Sequence, residues 1–360
     1  MKASVFQSGK FSVQDLPSPT PGPGEVLVRP LVCGICGSDL HTRHHAHSLA
    51  ELFQRGGFQK FMDPEKPTVM GHEFCCEVLD FGPGCEKKFE RGTRIVGLPF
   101  LEGANGIELV GYSNHYYGAF AEEMVLQEKS MFSVPDHVES DVAALAEPLS
   151  VAVRAVRAAE PTKDTAFTIY GCGPVGLFII ARLRHLGFGP ILAIDPDPQR
   201  RVLAEMMGAD EVMEPSTEKV EQWWNRHGQT LSKWTVSTSR NNVPAKRPVI
   251  FECVGKVGMI QSIAEEAPVE CLIVVVGLCM QTDKFEPGFM LQKDLQLRFV
   301  LAYSPEDFVK ANQMISDAPQ RLAPLVTGHV TLDDVEKAFD RLERGGSDAK
   351  VMVSPTDLLG

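Results

Sequence analysis

The sequence predicts an α/β protein of two domains: a mainly β domain, then one whose parallel sheet is wound on both faces by helices. Three observations lead there. A chain of 360 residues exceeds what one ordinary core takes in. Residues 1 to about 148 read as short strands broken by glycine and proline, at 2–6, 25–30, 77–81, 94–97 and 120–126, with a turn cluster at 17–24. From about residue 149, short β-rich runs at 166–170, 191–195, 249–252 and 271–276 alternate with helix-like stretches, the texture of right-handed crossovers between parallel strands.

The remaining segments are less regular. Residues 41–66 are polar and rich in His and Phe, with Pro64 and Pro67 near the end, and are expected to form a surface loop with a helical turn. Residues 218–247 exceed the usual connection length and carry Trp223, Trp224 and Trp234, so a helix plus an exposed loop is expected. A strand is expected at 299–303, helices from near Pro305 and Leu332, and a closing strand at 350–353. Asp333 and Asp334 suit the first turn of the last helix, where carboxylates complement the helix dipole.

Composition narrows the class. A hydrophobic fraction of 44% and a charged fraction of 23% are those of a chain that folds throughout. The net charge of -12 argues against nucleic acid or an anionic membrane as partner, since either needs a basic face. Apolar runs are too short for a membrane span and the N-terminus has no signal-peptide core, so a cytoplasmic protein acting on small neutral molecules is expected. Nine cysteines, an odd number placed singly or in close pairs, do not make a secreted disulfide framework. Metal ligation or packing remains, and Cys75, Cys76, Cys172, Cys253, Cys271 and Cys279, in apolar runs, are read as small core residues.

Gly171-Cys172-Gly173-Pro174-Val175-Gly176 follows the strand at 166–170 and opens a helix at 177–186. The first glycine permits the tight turn, the second lets a pyrophosphate approach the backbone, and the third lets helix and strand pack closely. Such a motif alone is weak; here Asp195 ends the next strand, where a carboxylate accepts hydrogen bonds from the adenosine ribose. A Rossmann dinucleotide site follows. Asp195 favours NAD over NADP because it repels a 2′-phosphate, whereas Arg200 and Arg201 could flank the adenosine end and tolerate one. Val254, Gly277 and Leu278, past the ends of two later strands, complete the cofactor-binding candidates.

Three segments of the first domain hold every ligand type of a catalytic zinc: Cys33-Gly34-Ile35-Cys36-Gly37-Ser38-Asp39-Leu40-His41, Gly71-His72-Glu73, and Ala146-Glu147-Pro148-Leu149-Ser150. Cys33 and Cys36 could be half of a structural zinc site or a redox pair, but no second Cys-x-x-Cys completes a four-cysteine site, and one thiolate ligand is simpler. His44, His45 and His47 stand on a polar stretch without a matching cysteine or carboxylate pattern and are read as solvated surface.

In this order, ahead of the glycine motif, the segments resemble the zinc-dependent medium-chain dehydrogenase/reductase superfamily, its alcohol, polyol and threonine dehydrogenase group and especially the sorbitol-dehydrogenase-like branch. The resemblance runs through Gly118-Ala119-Phe120-Ala121-Glu122, Phe251-Glu252-Cys253-Val254-Gly255 and residues 330–339. It implies a GroES-like domain over 1–149 and 299–360, a Rossmann domain over 150–298, and an active site in the cleft between them. It makes Cys36 and His72 zinc ligands, leaves the third position to Glu73 or Glu147, and gives Asp39 the task of orienting His72. Ser38 would take the alcohol proton and pass it by way of the nicotinamide ribose to His41. A homodimer or homotetramer is also implied.

Two departures matter. Relatives with a second, structural zinc carry four cysteines in a lobe that here spans 98–118 and has none, so one zinc per subunit is expected, with Tyr112, Tyr116 and Tyr117 packing the lobe. Sorbitol-type relatives place an arginine where this chain has Ala302, so a smaller or less polar secondary alcohol or diol becomes as plausible as a sugar alcohol. The alternatives are a metal-free NADPH-dependent quinone or enone reductase of the same superfamily, and a non-catalytic NAD-binding protein. Phe53, Phe58, Phe61, Phe120 and Tyr303 are candidates for the substrate pocket.

Overall fold

The structure, a computed structural model, describes residues 1–58, 60–103, 106–232 and 245–356. The chain divides into two compact units, Met1–Pro148 with Phe308–Gly360, and Leu149–Asp307.

The largest sheet of the first unit places its strands in the order Met131–Ser133, Arg94–Gly97, Glu73–Phe81, Glu25–Gly34, Lys350–Ser354, Val326–Thr331. Alternation in Glu25–Gly34 explains its place: Val26, Val28, Pro30 and Val32 are buried, while Leu27, Arg29 and Leu31 between them are only partly so. Phe6, Phe11, Phe120 and Phe339 meet in this unit's core, with ring centroids of Phe11 and Phe339 4.4 Å apart. Thus the last strand of the chain, Lys350–Ser354, lies against the Cys33–Gly34 end of an early one.

The second unit holds a six-stranded parallel sheet in the order Glu211–Met213, Ile191–Ile194, Thr165–Tyr170, Arg247–Glu252, Leu272–Val275, Gln296–Phe299. That is the doubly wound order, in which the sequence reverses direction beside the first strand and leaves a crevice at the strands' carboxyl ends. Thr165–Tyr170 is buried throughout, as a central parallel strand must be.

Several expectations need correction. Residues 41–66 begin not as a loop but as most of a long helix, Gly37–Arg55, kinked at His45 (φ -131°, ψ 25°). Its polarity conceals its period: Thr42, Ala46 and Leu49 are buried on one face. Arg43, nearly two turns in, holds the helix to Val335–Glu343 by ion pairs to Glu336 and Asp340 at 2.7 and 2.8 Å.

The strand expected at 299–303 is Gln296–Phe299, its start hidden by polar Gln296 and Arg298; Phe299 pairs with Val275 in the parallel sheet. Chain compactness therefore returns to the first unit at Phe308 rather than at 299. Trp223 and Trp224 are fully buried on the helix Thr217–Arg226, while Trp234 lies outside the described residues. Cys75, Cys76, Cys172 and Cys271 are buried as expected, but Cys253 and Cys279, past the ends of the strands Arg247–Glu252 and Leu272–Val275, are only half-buried. No helix among the described residues is long and apolar enough to cross a membrane.

Candidate metal and cofactor sites

Strand register builds the first site. Gly34 pairs with Glu73, and Met352 pairs with Gly34, so three distant segments end together. Cys36 then caps the helix Gly37–Arg55, its N–H donating to Asp39 Oδ2 at 3.0 Å. One ligand atom each from Cys36, His72 and Glu73 falls within 4.8 Å of the others, with His72 and Glu73 buried.

Charge at this centre is nearly enclosed. Burial raises the Cys36 thiol pKa, and the Glu73 charge adds to it. At His72 burial opposes the imidazolium, but the Asp39 carboxylate and Cys36 outweigh it and raise the pKa well above the ordinary value. Asp39 Oδ1 stands 3.4 Å from His72 Nδ1, an ion-pair separation without hydrogen-bond geometry, and leaves that nitrogen buried with no hydrogen-bond partner. A thiol, an imidazole and a carboxylate converging where two of the three are buried are the donor chemistry of a catalytic zinc, and the orphaned ring nitrogen has a carboxylate at hand to orient it. The residues fit the ion.

Two side chains at the centre carried no functional signal in the sequence. Lys350 Nζ, 1% exposed, donates to Glu73 Oε2 and Oε1 at 2.6 and 2.9 Å and to the Ile35 carbonyl at 3.2 Å. Burial opposes its ammonium form, but Glu73 and Cys36 raise its pKa above the usual lysine value. Gly34 makes room for the pair: a Cβ there would sit 2.3 Å from Glu73 Oε2. A lysine opening an apolar strand was the available clue. The second is Tyr112, whose Oη lies 2.8 Å from both Ser38 Oγ and Asp39 Oδ1.

Other candidates fall outside this cluster. Glu147, partly exposed on the helix Ala146–Ala159, is not within the three-ligand group, though its charge acts on Lys350. His41 is half-buried on the helix, its pKa lowered first by burial and then by His45, which keeps the ring neutral and able to accept a proton at neutral pH. Exposed His44 and His47 pair with Glu343 and Glu65 at 2.8 and 3.0 Å, so the surface placement holds, on a helix rather than a loop.

In the second unit the glycine motif behaves as its spacing requires. Gly171 adopts φ +93°, Gly173 caps the helix Pro174–His185, and Pro174 fills its first position with Val175 next. A Cβ on Gly176 would meet the Gly171 carbonyl oxygen at 2.0 Å. Gly176→Ala is therefore expected to push the helix off the strand and weaken NADH binding tenfold or more, given about 1–3 kcal/mol for overpacking a rigid site. A fluorescence titration checks this, and unchanged affinity would show that the turn is not the pyrophosphate seat.

Asp195, 4% exposed, accepts from the backbone N–H of Cys172 and Asp197 at 2.7 and 2.8 Å, which fixes it beside the glycine turn. Arg200 has its Nε buried without a hydrogen-bond partner, and Arg201 donates to the carbonyls of Asp195 and Pro196. Val254, Gly277 and Leu278 come together through Glu252: its Oε1 accepts from Val254 and Gly255 N–H at 2.7 and 2.8 Å, and its carbonyl accepts from Gly277 N–H at 2.9 Å. Gly255 packs so closely on Leu278 that a Cβ would stand 2.7 Å from its backbone nitrogen. Glu252 was not among the candidates, although a carboxylate closing the apolar run 249–251 was visible.

The chain matches the family models of the alcohol dehydrogenase GroES-like domain over residues 22–136 and of the zinc-binding dehydrogenase over 174–317. It is similar to (R,R)-butanediol dehydrogenase of Bacillus subtilis strain 168, 26% identical over 365 residues that cover 99% of this chain and 100% of that protein. Sorbitol dehydrogenase of the same organism is 25% identical, covering 99% of this chain and 97% of its own. Among solved structures, 2R,3R-butanediol dehydrogenase from Bacillus subtilis superposes with a TM-score of 0.79 at 25% identity, over 99% of each chain. With the glycine turn, the parallel-sheet order and the cysteine, histidine and glutamate cluster in place, the chain belongs to the zinc-dependent medium-chain dehydrogenase/reductase superfamily.

Proposed function

We propose that the protein oxidises a secondary alcohol to the ketone, using one catalytic zinc held by Cys36, His72 and Glu73 and NAD as hydride acceptor. The observation that carries the proposal is the convergence of those three ligands beside the Ser38 hydroxyl network. Zinc supplies a Lewis acid for the substrate oxygen, and nicotinamide supplies the hydride acceptor. The chain's own residues do the rest. Ser38 Oγ accepts the proton released by the substrate hydroxyl as its own hydrogen leaves toward His41 and solvent, and the lowered pKa of His41 favours its neutral, accepting form. Asp39 keeps His72 oriented, and Lys350 balances the Glu73 charge.

NAD is favoured by the buried Asp195 carboxylate. Its relatives act on a diol and on a polyol by name, and Ala302 in place of an arginine puts a less hydroxylated alcohol or diol on a par with a sugar alcohol as substrate. We place the active subunit in a homodimer or homotetramer.

Zinc content per subunit, measured beside NAD and NADP reduction on a panel of diols, polyols, amino alcohols and simple alcohols, tests this. About one zinc is expected, with NAD-linked oxidation of a secondary alcohol. A metal-free protein that oxidises NADPH with quinones would replace the proposal with the reductase alternative.

A further inference from the structure

We propose that Tyr112 is a positioning residue for proton transfer, its phenol tying the Ser38 hydroxyl to the Asp39 carboxylate behind His72. The inference rests on the role given to Ser38 above and adds a residue to that machinery.

The geometry supplies the case. Tyr112 follows the hairpin strand Gly106–Leu109 in the cysteine-free segment and is 4% exposed. A buried phenol needs one partner for its O–H; this one has two at 2.8 Å, and both belong to the candidate site. At its ordinary pKa of about 10 a phenol is protonated at neutral pH, and it has a single proton to give. The Asp39 carboxyl group offers it an acceptor. Its Oδ2 is already taken by Cys36 N–H, so Oδ1 is the oxygen open to the phenol proton. The same phenol O–H also lies within donating distance of Ser38 Oγ at 2.8 Å and is shared between the two acceptors. Ser38 Oγ is thereby anchored as an acceptor, and its own hydrogen stays free to leave as the substrate proton arrives.

The ring is held independently of the hydroxyl. It stacks on Phe61 at 5.2 Å and 19°, Phe61 stacks on Phe53 at 5.0 Å and 8°, and the Tyr112 ring also meets the His72 ring, tilted, at 5.1 Å. Phenylalanine would fill the same volume in the same stack. Packing therefore accounts for an aromatic residue at 112 and does not account for its oxygen.

Tyr112→Phe separates the two. In the zinc-loaded protein, kcat is expected to fall about tenfold, within the range of positioned proton-transfer groups, with KM and NADH affinity within twofold of wild type. Because the effect acts through Ser38, it should vanish in a Ser38→Ala background, where Tyr112→Phe adds no further loss. A second readout needs no turnover. With Asp39 released, zinc should pass to a chelator about threefold faster or more, below the 10–100-fold typical of a direct partner of a ligand. A wild type that holds zinc yet oxidises none of the panel would end the proposed function, while the chelator comparison would still decide Tyr112. Full kcat in Tyr112→Phe, an equal loss with and without Ser38, or unchanged zinc release each overturns the inference.

Discussion

Cys36→Ser is expected to lose its zinc and at least three orders of magnitude in turnover while binding NADH as wild type does. Cys36 supplies the thiolate of the three-ligand group. A serine hydroxyl does not ionise near neutral pH and is a poor ligand for a borderline-soft cation, so two donors remain where three are needed. Lewis-acid stabilisation is worth several kcal/mol at the transition state, and about 4 kcal/mol already amounts to three decades in rate. The substitution is local. Serine is a favoured N-cap, and the Cys36 N–H that donates to Asp39 belongs to the backbone, so the helix Gly37–Arg55 keeps its start. The glycine turn and Asp195 lie in the other compact unit, which leaves the cofactor seat intact. Metal analysis, turnover and an NADH titration on one preparation decide the matter. Zinc-free Cys36→Ser with full turnover would remove the metal from the chemistry.

How much of this was legible in the sequence follows from what each feature depends on. The glycine motif and Asp195 are local: a turn with φ +93° and a helix that must touch the strand at Gly176 dictate glycine whatever the rest of the fold does. Cys36, His72 and Glu73 were readable because ligand types are few and their order along the chain resembled a known group. The helix Gly37–Arg55 was missed because its buried stripe, Asp39, Thr42, Ala46 and Leu49, holds only two apolar residues, too few to show against four histidines and two arginines. Lys350 and Tyr112 were missed for another reason. Each acts across a long sequence separation, 277 residues to Glu73 and 74 to Ser38, and only the strand register and the aromatic stack bring them in. A lysine in a strand and a tyrosine in a loop have commonplace roles until the fold supplies their neighbours. Glu147 shows the converse, a ligand type carried over by resemblance that the structure leaves outside the three-ligand group.

Lys350→Met should destabilise the metal-free protein by about 3–5 kcal/mol, the cost of leaving one member of a buried ion pair alone. Glu73 is fully buried and both of its oxygens face the Lys350 ammonium, with the Glu147 charge acting on the same lysine. Methionine fills most of the space but cancels no charge. The carboxylate must then protonate, draw in water or unfold its surroundings. Two comparisons separate charge from volume. Adding Glu73→Gln to Lys350→Met removes the orphaned charge and should recover most of the lost stability, because an apolar or neutral replacement for both members of a buried pair is far less costly than removing one. Zinc should also restore stability to Lys350→Met more than to wild type, since a dication bound only by the folded state both neutralises Glu73 and shifts the folding equilibrium. Denaturant unfolding with and without zinc measures both effects. If the double substitution were as unstable as Lys350→Met alone, the lysine's aliphatic packing, and not its charge, would be what the centre requires.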